Sequence, residues 1–430
     1  MNIEKVKEFL EKHYMKNRAT VTDESNEVIE DVVKRTGGKI INIPTGKECL
    51  NWIIPKKWTV HDAYIKDMTN NKIIVDFKDN PLHLWSYSDP VDKTINFNEL
   101  EKHILYREKV PDRIPYHYAL QYDYSLNGWG FSMTYGQYLS MDRKAEYKAF
   151  IDSEFTDGTM QIADTVIKGR HKATVFFGAH NCHPGQVNDG LLNIVILMDL
   201  FDFIKTMPKP NYTYRMIIGP EYFGGVAFLE HGENIKDLKY GLYLDMVANN
   251  KPVAFSRSYN SQSMIDKAVE IAVRTTVENY TVKPYREVWG NDELFYDGPD
   301  FLVPTVGLGR ERYPEYHTSI DDISHVNWFQ YGEMQEILKK IILYMENNCI
   351  PERRYIGPAY LSRYGIKMGG EFSDNMQVAQ ILMDGENSLI DISFKSKVPF
   401  EKLYEIVKEL ESNGLMENKP IWSMKYDIGI

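Results

Sequence analysis

Phe177-Gly178-Ala179-His180-Asn181-Cys182-His183-Pro184-Gly185-Gln186-Val187-Asn188-Asp189-Gly190 decides how the chain is read. The β-rich run Ala173-Thr174-Val175-Phe176-Phe177 drives into two histidines, with an Asp six residues after the second. Leu191 to Phe203 is then apolar almost all round. This pattern predicts a buried strand, a polar crossover loop and a helix packed on a sheet. In open α/β sheets the carboxyl ends of the strands hold the ligand. His180, His183 and Asp189 therefore fall where a site belongs, and imidazole with carboxylate is a zinc-type donor set.

Working outward, strands are expected at 146–152, 173–179, 213–218, 241–247, 252–256 and 303–308, with helices at 190–206, 224–231, 261–279 and 326–347. This alternation predicts an α/β core, 136–350, built on a mainly parallel mixed sheet flanked by helices. Residues 1–38 read as two helices belonging to that core. Residues 39–135 carry short β-rich pieces, turn clusters and tryptophans, and read as an inserted β-rich domain. Residues 351–430 read as helix, turn, helix and a β-like tail at Ile421–Met424, the pattern of a winged helix. Its longer helix carries Glu401, Glu405, Glu409 and Glu411 against Lys402 and Lys408, so phosphate would repel it. It is expected to contact protein, with homo-oligomer formation its natural use.

The 430-residue chain has a net charge of −11, which argues against a nucleic-acid partner and an anionic membrane surface. No apolar stretch approaches the roughly 18 residues needed to span a bilayer. Met1 to Glu8 reads as an amphipathic helix start without an apolar signal core. The three cysteines, Cys49, Cys182 and Cys349, are scattered, so a reducing cytoplasm is the expected compartment.

Other loops add candidates. The strand ending at Gly219-Pro220 is followed by Glu221, and Gly241–Leu244 ends at Asp245. Asp292 and Glu293 sit in a loop, and His317 lies in Tyr316-His317-Thr318-Ser319-Ile320-Asp321, past the last core strand. A carboxylate after a strand is as often a helix N-cap, so the conjunction carries the argument. Zinc held by imidazoles and carboxylates lowers the pKa of bound water toward about 7. A neighbouring carboxylate acting as general base adds about 10²–10⁴-fold. No Gly-x-Ser-x-Gly or Walker-type loop competes.

At these residues the chain resembles the zinc-dependent exopeptidases of the bacterial leucyl aminopeptidase and glutamate carboxypeptidase type. His-x-Cys-His-Pro…Asn-Asp, Pro-Glu-x-x-Gly, the Leu-Asp strand end and Tyr-His-Thr-Ser-x-Asp carry the likeness. More closely it resembles a bacterial subgroup of aminopeptidase-like proteins with an inserted small β domain and a C-terminal winged helix. The resemblance implies one or two zincs per chain. It makes His180, Asp189 (bridging), Asp245 and His317 the metal ligands and Glu221 the general base. Tyr222 stands where two-metal members carry a second Glu as ligand. His183 is then either a replacement ligand or a group orienting His180.

Asp292 and Glu293 are candidates for a ligand histidine or a substrate amine, Tyr222 for substrate contact, and Arg310 for a substrate carboxylate or an ion pair. The implied function is metal-assisted hydrolysis of an amide in a small peptide. One alternative is an amidohydrolase on a modified sugar in cell-surface polysaccharide metabolism. The other is a non-catalytic, metal-stabilised binding or assembly module.

Overall fold

The computed structural model describes residues 3–122, 128–365 and 373–423. Its centre is an eight-stranded mixed sheet. In chain order the strands are β1 (Lys39–Pro44), β2 (Thr159–Ile167), β3 (Thr174–His180), β4 (Thr213–Gly219), β5 (Leu238–Asp245), β6 (Val253–Ser256), β7 (Tyr280–Lys283) and β8 (Thr305–Arg310). Across the sheet they run β1-β2-β4-β3-β5-β8-β6-β7. The middle four, β4, β3, β5 and β8, are parallel. β1, β2 and β4 pair antiparallel with one another in turn, and β6 is antiparallel to β8. The expected α/β class is the observed one.

Period-two alternation sorts the side chains of the buried strands between two layers. Val175, Phe177 and Ala179 join the larger core, while Phe176 points into the other. The larger core is covered by helices Ile3–His13, Asp23–Thr36, Leu192–Thr206, Met264–Arg274 and Trp328–Glu346. The opposite face is covered by Phe223–His231 and the short Glu293–Tyr296 turn. The second N-terminal helix begins on a Thr22/Ser25 capping box and ends at Gly37, whose φ of 74° suits a residue without Cβ.

Two strands exchange blocks relative to the sequence reading. Lys39–Pro44, expected in the insertion, is the edge strand of the large sheet, with Ile41 opposite Ile162 and Ile43 opposite Met160. Glu146–Thr156, expected in the α/β core, is a central strand of a separate four-stranded antiparallel sheet with Ile73–Asp76, Lys57–Asp67 and Val91–Asn96. The chain passes from one sheet to the other across Asp157-Gly158. Local pattern identifies a strand but carries no record of a partner a hundred residues away. β2 and β7 were not expected.

Among the C-terminal residues, helices span Ser373–Leu382, Leu389–Ser396 and Phe400–Ser412. The expected β-like tail lies earlier, at Met416–Pro420, and pairs antiparallel with Cys349–Arg353. Ile421–Ser423 is a short 3-10 turn, and Met424 lies outside the described residues. Leu389, Ile390, Phe400, Leu403, Ile406, Val407 and Leu410 pack into the larger core. No helix among the described residues is long and apolar enough to cross a membrane.

One residue of the N-terminal segment fixes the crossover loop. The Arg18 guanidinium is fully buried. It donates to the carbonyls of His13 (3.1 Å), Asn181 (2.7 Å), Gln186 (3.0 Å) and His183. Burial lowers its pKa to about 10, so it stays charged at neutral pH. Each buried carbonyl left without a donor costs about 1–3 kcal/mol. Arg18→Met is therefore expected to lose about 3–5 kcal/mol in urea unfolding. A loss below about 1 kcal/mol would show that the loop does not depend on it.

Candidate metal centre

β4, β3, β5 and β8 are parallel neighbours, so the loops at their carboxyl ends converge. β3 ends at His180, in register with Gly219 just before Pro220-Glu221. β5 ends at Asp245, opposite Gly309 of β8, whose following loop carries His317. The Val187–Leu191 turn then brings Asp189 back over the end of β3. There Gly190 has a φ of 125°, and a Cβ on it would meet the His180 carbonyl and ring at 3.4–3.6 Å. Those contacts are of ordinary length, so it is the φ that favours glycine here.

Asp189 lies at the middle of the cluster. Its Oδ1 is 3.3 Å from His180 Nε2, and its Oδ2 is 2.8 Å from His317 Nε2. His180 Nε2 is also 3.7 Å from Asp245 Oδ1. Asp245 is oriented by the amide groups of Asn193 and Asn291, each at 3.1 Å. Asp189 is placed by Asp321, whose carboxylate accepts the backbone N–H groups of Val187 (3.1 Å), Asn188 (3.0 Å) and Asp189 (3.0 Å). Three non-glycine residues with left-handed φ adjoin these groups: Tyr222 (63°), Met246 (52°) and His317 (54°). Strain of that kind concentrates at functional sites.

Glu221 stands beside the cluster, with Oε2 3.7 Å from His183 Nε2. It accepts the Tyr122 hydroxyl at 3.2 Å, and its own N–H donates to Cys182 Sγ at 3.2 Å. Burial pushes its carboxyl up to about 8, opposed by His180 and reinforced by Asp292, Asp189 and Asp245. Burial works against charge on His180, yet Asp189 and Asp245 hold its pKa well above the ordinary range. His183 is held well below its ordinary value by burial, with His180, His317 and Arg18 adding to the effect. Burial opposes the charge on Asp189 as well, but the facing imidazoles keep it ionised. Asp245 is raised by burial and by Asp189.

His180 Nε2, Asp189 Oδ2 and His317 Nε2 are buried and make no well-directed hydrogen bond, although Asp189 Oδ2 and His317 Nε2 lie 2.8 Å apart. His180, Asp189 and Asp245 face one space, and His317 meets Asp189 from its other side. Imidazole with carboxylate fits zinc in donor type. Two three-residue groups share Asp189: His180/Asp189/Asp245 and His183/Asp189/His317, with donor atoms in each within 4.8 Å of one another.

The structure thus gathers His180, His183, Asp189, Glu221, Asp245 and His317. The other candidates differ. Asp292 accepts the Tyr222 N–H at 2.6 Å, and Glu293 binds Arg286 at 2.8 Å and the Asn291 N–H. Both carboxylates are internal supports of the loop, at 4% and 1% exposure. Arg310, 1% exposed, donates to the carbonyls of Val247 and Lys251 and pairs with Glu333, the ion-pair alternative of its two expected roles. Tyr222 faces Trp52, Tyr122 and Phe295 across 5.8–5.9 Å in an aromatic wall.

Arg18, Asn193, Asn291, Tyr116 and Tyr122 carry no sequence signal for the site. Asp321 lay within a quoted motif without an assigned role. Tyr116 comes from the inserted block and packs edge-on against His183 and His317, at 5.4 and 5.3 Å. Its N–H donates to the His317 carbonyl at 3.0 Å, and Ser319 N–H to Ile114. The segment around Tyr116 therefore packs directly on the histidine cluster.

A family profile described as a domain of unknown function (DUF4910) matches residues 7–348. A Clostridium acetobutylicum protein named "Putative polysaccharide biosynthesis protein with aminopeptidase-like domain" is 30% identical over 380 residues, 85% of each chain. The crystal structure of a "putative peptidase" from Clostridium acetobutylicum superposes with a TM-score of 0.86 at 26% identity, covering 96% of both chains. A zinc aminopeptidase from Bacillus subtilis, BSAP, superposes at 0.56 with 12% identity, over 80% of this chain and 94% of that one, which is a likeness of fold alone. The chain belongs to the DUF4910 family, on a core with the aminopeptidase fold.

Proposed function

We propose that the chain is a zinc-dependent hydrolase of an amide bond, aminopeptidase-like in its chemistry. The observation that carries this is the buried cluster of His180 Nε2, Asp189 and His317 Nε2, whose atoms face one another without a well-directed hydrogen bond, with Asp245 beside His180 and the carboxyl of Glu221 at its border. His180, Asp189 and Asp245 would hold the metal, with His317 on the other side of Asp189. When bound, zinc supplies Lewis acidity at the scissile carbonyl and at the attacking water. Glu221 takes the proton from that water and returns it to the leaving amine. Its raised pKa suits a group that must both accept and release a proton, and a cation nearby draws that value down. Tyr122, donating to Glu221 Oε2, fixes the carboxylate's direction.

A saccharide amide is the second reading of the substrate. Trp52, Tyr116, Tyr118, Tyr122, Tyr222 and Phe295 give the cleft an aromatic lining suited to sugar faces. The Clostridium relative's name points to polysaccharide biosynthesis. Asp292 and Glu293 are engaged internally, so neither offers a free carboxylate to an α-amino group. A metal-stabilised binding module has no use for a buried base at the metal's edge. The C-terminal helices and the Met416–Pro420 strand would form a winged-helix module for homo-oligomer contact, in a cytoplasmic protein.

Glu221→Gln is expected to retain zinc and lose about 10²–10⁴-fold in turnover, assayed on a panel of aminoacyl amides and N-acetylated sugars. Unchanged turnover would remove Glu221 from the role. Asp321→Ala, which frees the loop amides, should weaken zinc binding about 10–100-fold in a chelator competition. Affinity equal to that of the unaltered chain would show that Asp189 needs no such support.

A further inference from the structure

His180 and His183 meet Nδ1 to Nδ1 at 2.8 Å, their rings 63° apart. A hydrogen bond between two ring nitrogens holds one proton, and a neutral imidazole has one N–H and one lone pair. The other nitrogen of His180, Nε2, faces Asp189 and Asp245 and has no hydrogen-bond partner. A metal on that nitrogen takes its lone pair, so the His180 proton must lie on Nδ1 and be donated to His183 Nδ1. His183 then uses its own lone pair as the acceptor, and its proton lies on Nε2, the atom 3.7 Å from Glu221 Oε2. For His183 to be a ligand through Nε2 as well, the pair must lose one proton, leaving an imidazolate, or the 2.8 Å contact must break.

Taking the zinc reading as the starting point, we infer that His183 is a positioning residue and not a metal ligand. It accepts the Nδ1 proton of His180, fixing the tautomer that presents Nε2 to the metal, and turns its own Nε2–H toward Glu221. Its placement is built in. Arg18 donates to its carbonyl, and Tyr116 packs edge-on to its ring. Cys182 Sγ, 3.8 Å from His183 Nδ1, is a weak partner beside an imidazole and already accepts the Glu221 N–H. Without His183, and with Tyr222 in place of a second carboxylate, the His183/Asp189/His317 group keeps two donors. The site then holds one zinc per chain, not two.

The test is zinc titration of the full metal-free chain, with stoichiometry by elemental mass spectrometry and ¹⁵N-histidine spectra read with and without zinc. One zinc per chain is expected, with the proton of His183 on Nε2 and the large zinc-induced ¹⁵N shift on His180 Nε2 but not on His183. His183→Gln, whose amide can accept from His180 and donate toward Glu221, should bind one zinc with nearly unaltered affinity. His183→Ala should still bind one, about 10–100-fold more weakly. Two zincs falling to one in His183→Ala, or a zinc-induced shift at His183 Nε2, would overturn the inference while leaving a metal centre in place. An unaltered chain that takes up no zinc would remove the hydrolase reading and this inference with it.

Discussion

Residues 181–191 are buried throughout, yet they form neither a strand nor an α-helix. Their backbone polar groups must find partners outside the segment. Arg18 supplies donors to the carbonyls at 181, 183 and 186, and Asp321 supplies acceptors to the amides at 187, 188 and 189. A buried guanidinium and a buried carboxyl group, from opposite ends of the core sequence, thus hold one loop between them. The carboxylate of Asp189 is left open toward His180 on one side and His317 on the other. Everything at the site follows from that suspension, because the other candidate groups sit on strand ends that the sheet already places.

The parts of this arrangement visible in the sequence are those with a local signature. An apolar run ending in His180, a carboxylate after each of β4 and β5, and a histidine after β8 locate the strand ends without knowledge of their order. What escaped is what depends on distant partners. Arg18 looks like any arginine between two helices, and nothing nearby says that it will be buried under the loop. Lys39–Pro44 and Glu146–Thr156 are legible as strands but not as members of particular sheets, since their partners lie far away in sequence, at residues 159–164 for the first and at Lys57–Asp67 and Val91–Asn96 for the second. Asp292, Glu293 and Arg310 were candidates for substrate contact because a charge at or beyond a strand end has the same appearance whether it faces a ligand or supports the backbone; their internal hydrogen bonds are visible only in the folded chain.

The inserted block has a physical role at the site. The Ile114–Tyr116 segment pairs with the His317 loop, so the block and the α/β core share a backbone junction at a candidate ligand. That junction holds the carbonyl of His317, whose φ is left-handed, and sets aromatic rings against its imidazole. From the same block the Tyr122 hydroxyl donates to Glu221, whose pKa is raised chiefly by desolvation.

The most direct test of the central claim is zinc-edge anomalous diffraction from crystals of the full chain grown with zinc. The account predicts a strong anomalous peak among His180 Nε2, Asp189 and Asp245, with His180 within about 2.0–2.1 Å of the metal. Zinc found only at other histidines, or no peak with zinc in excess, would contradict it.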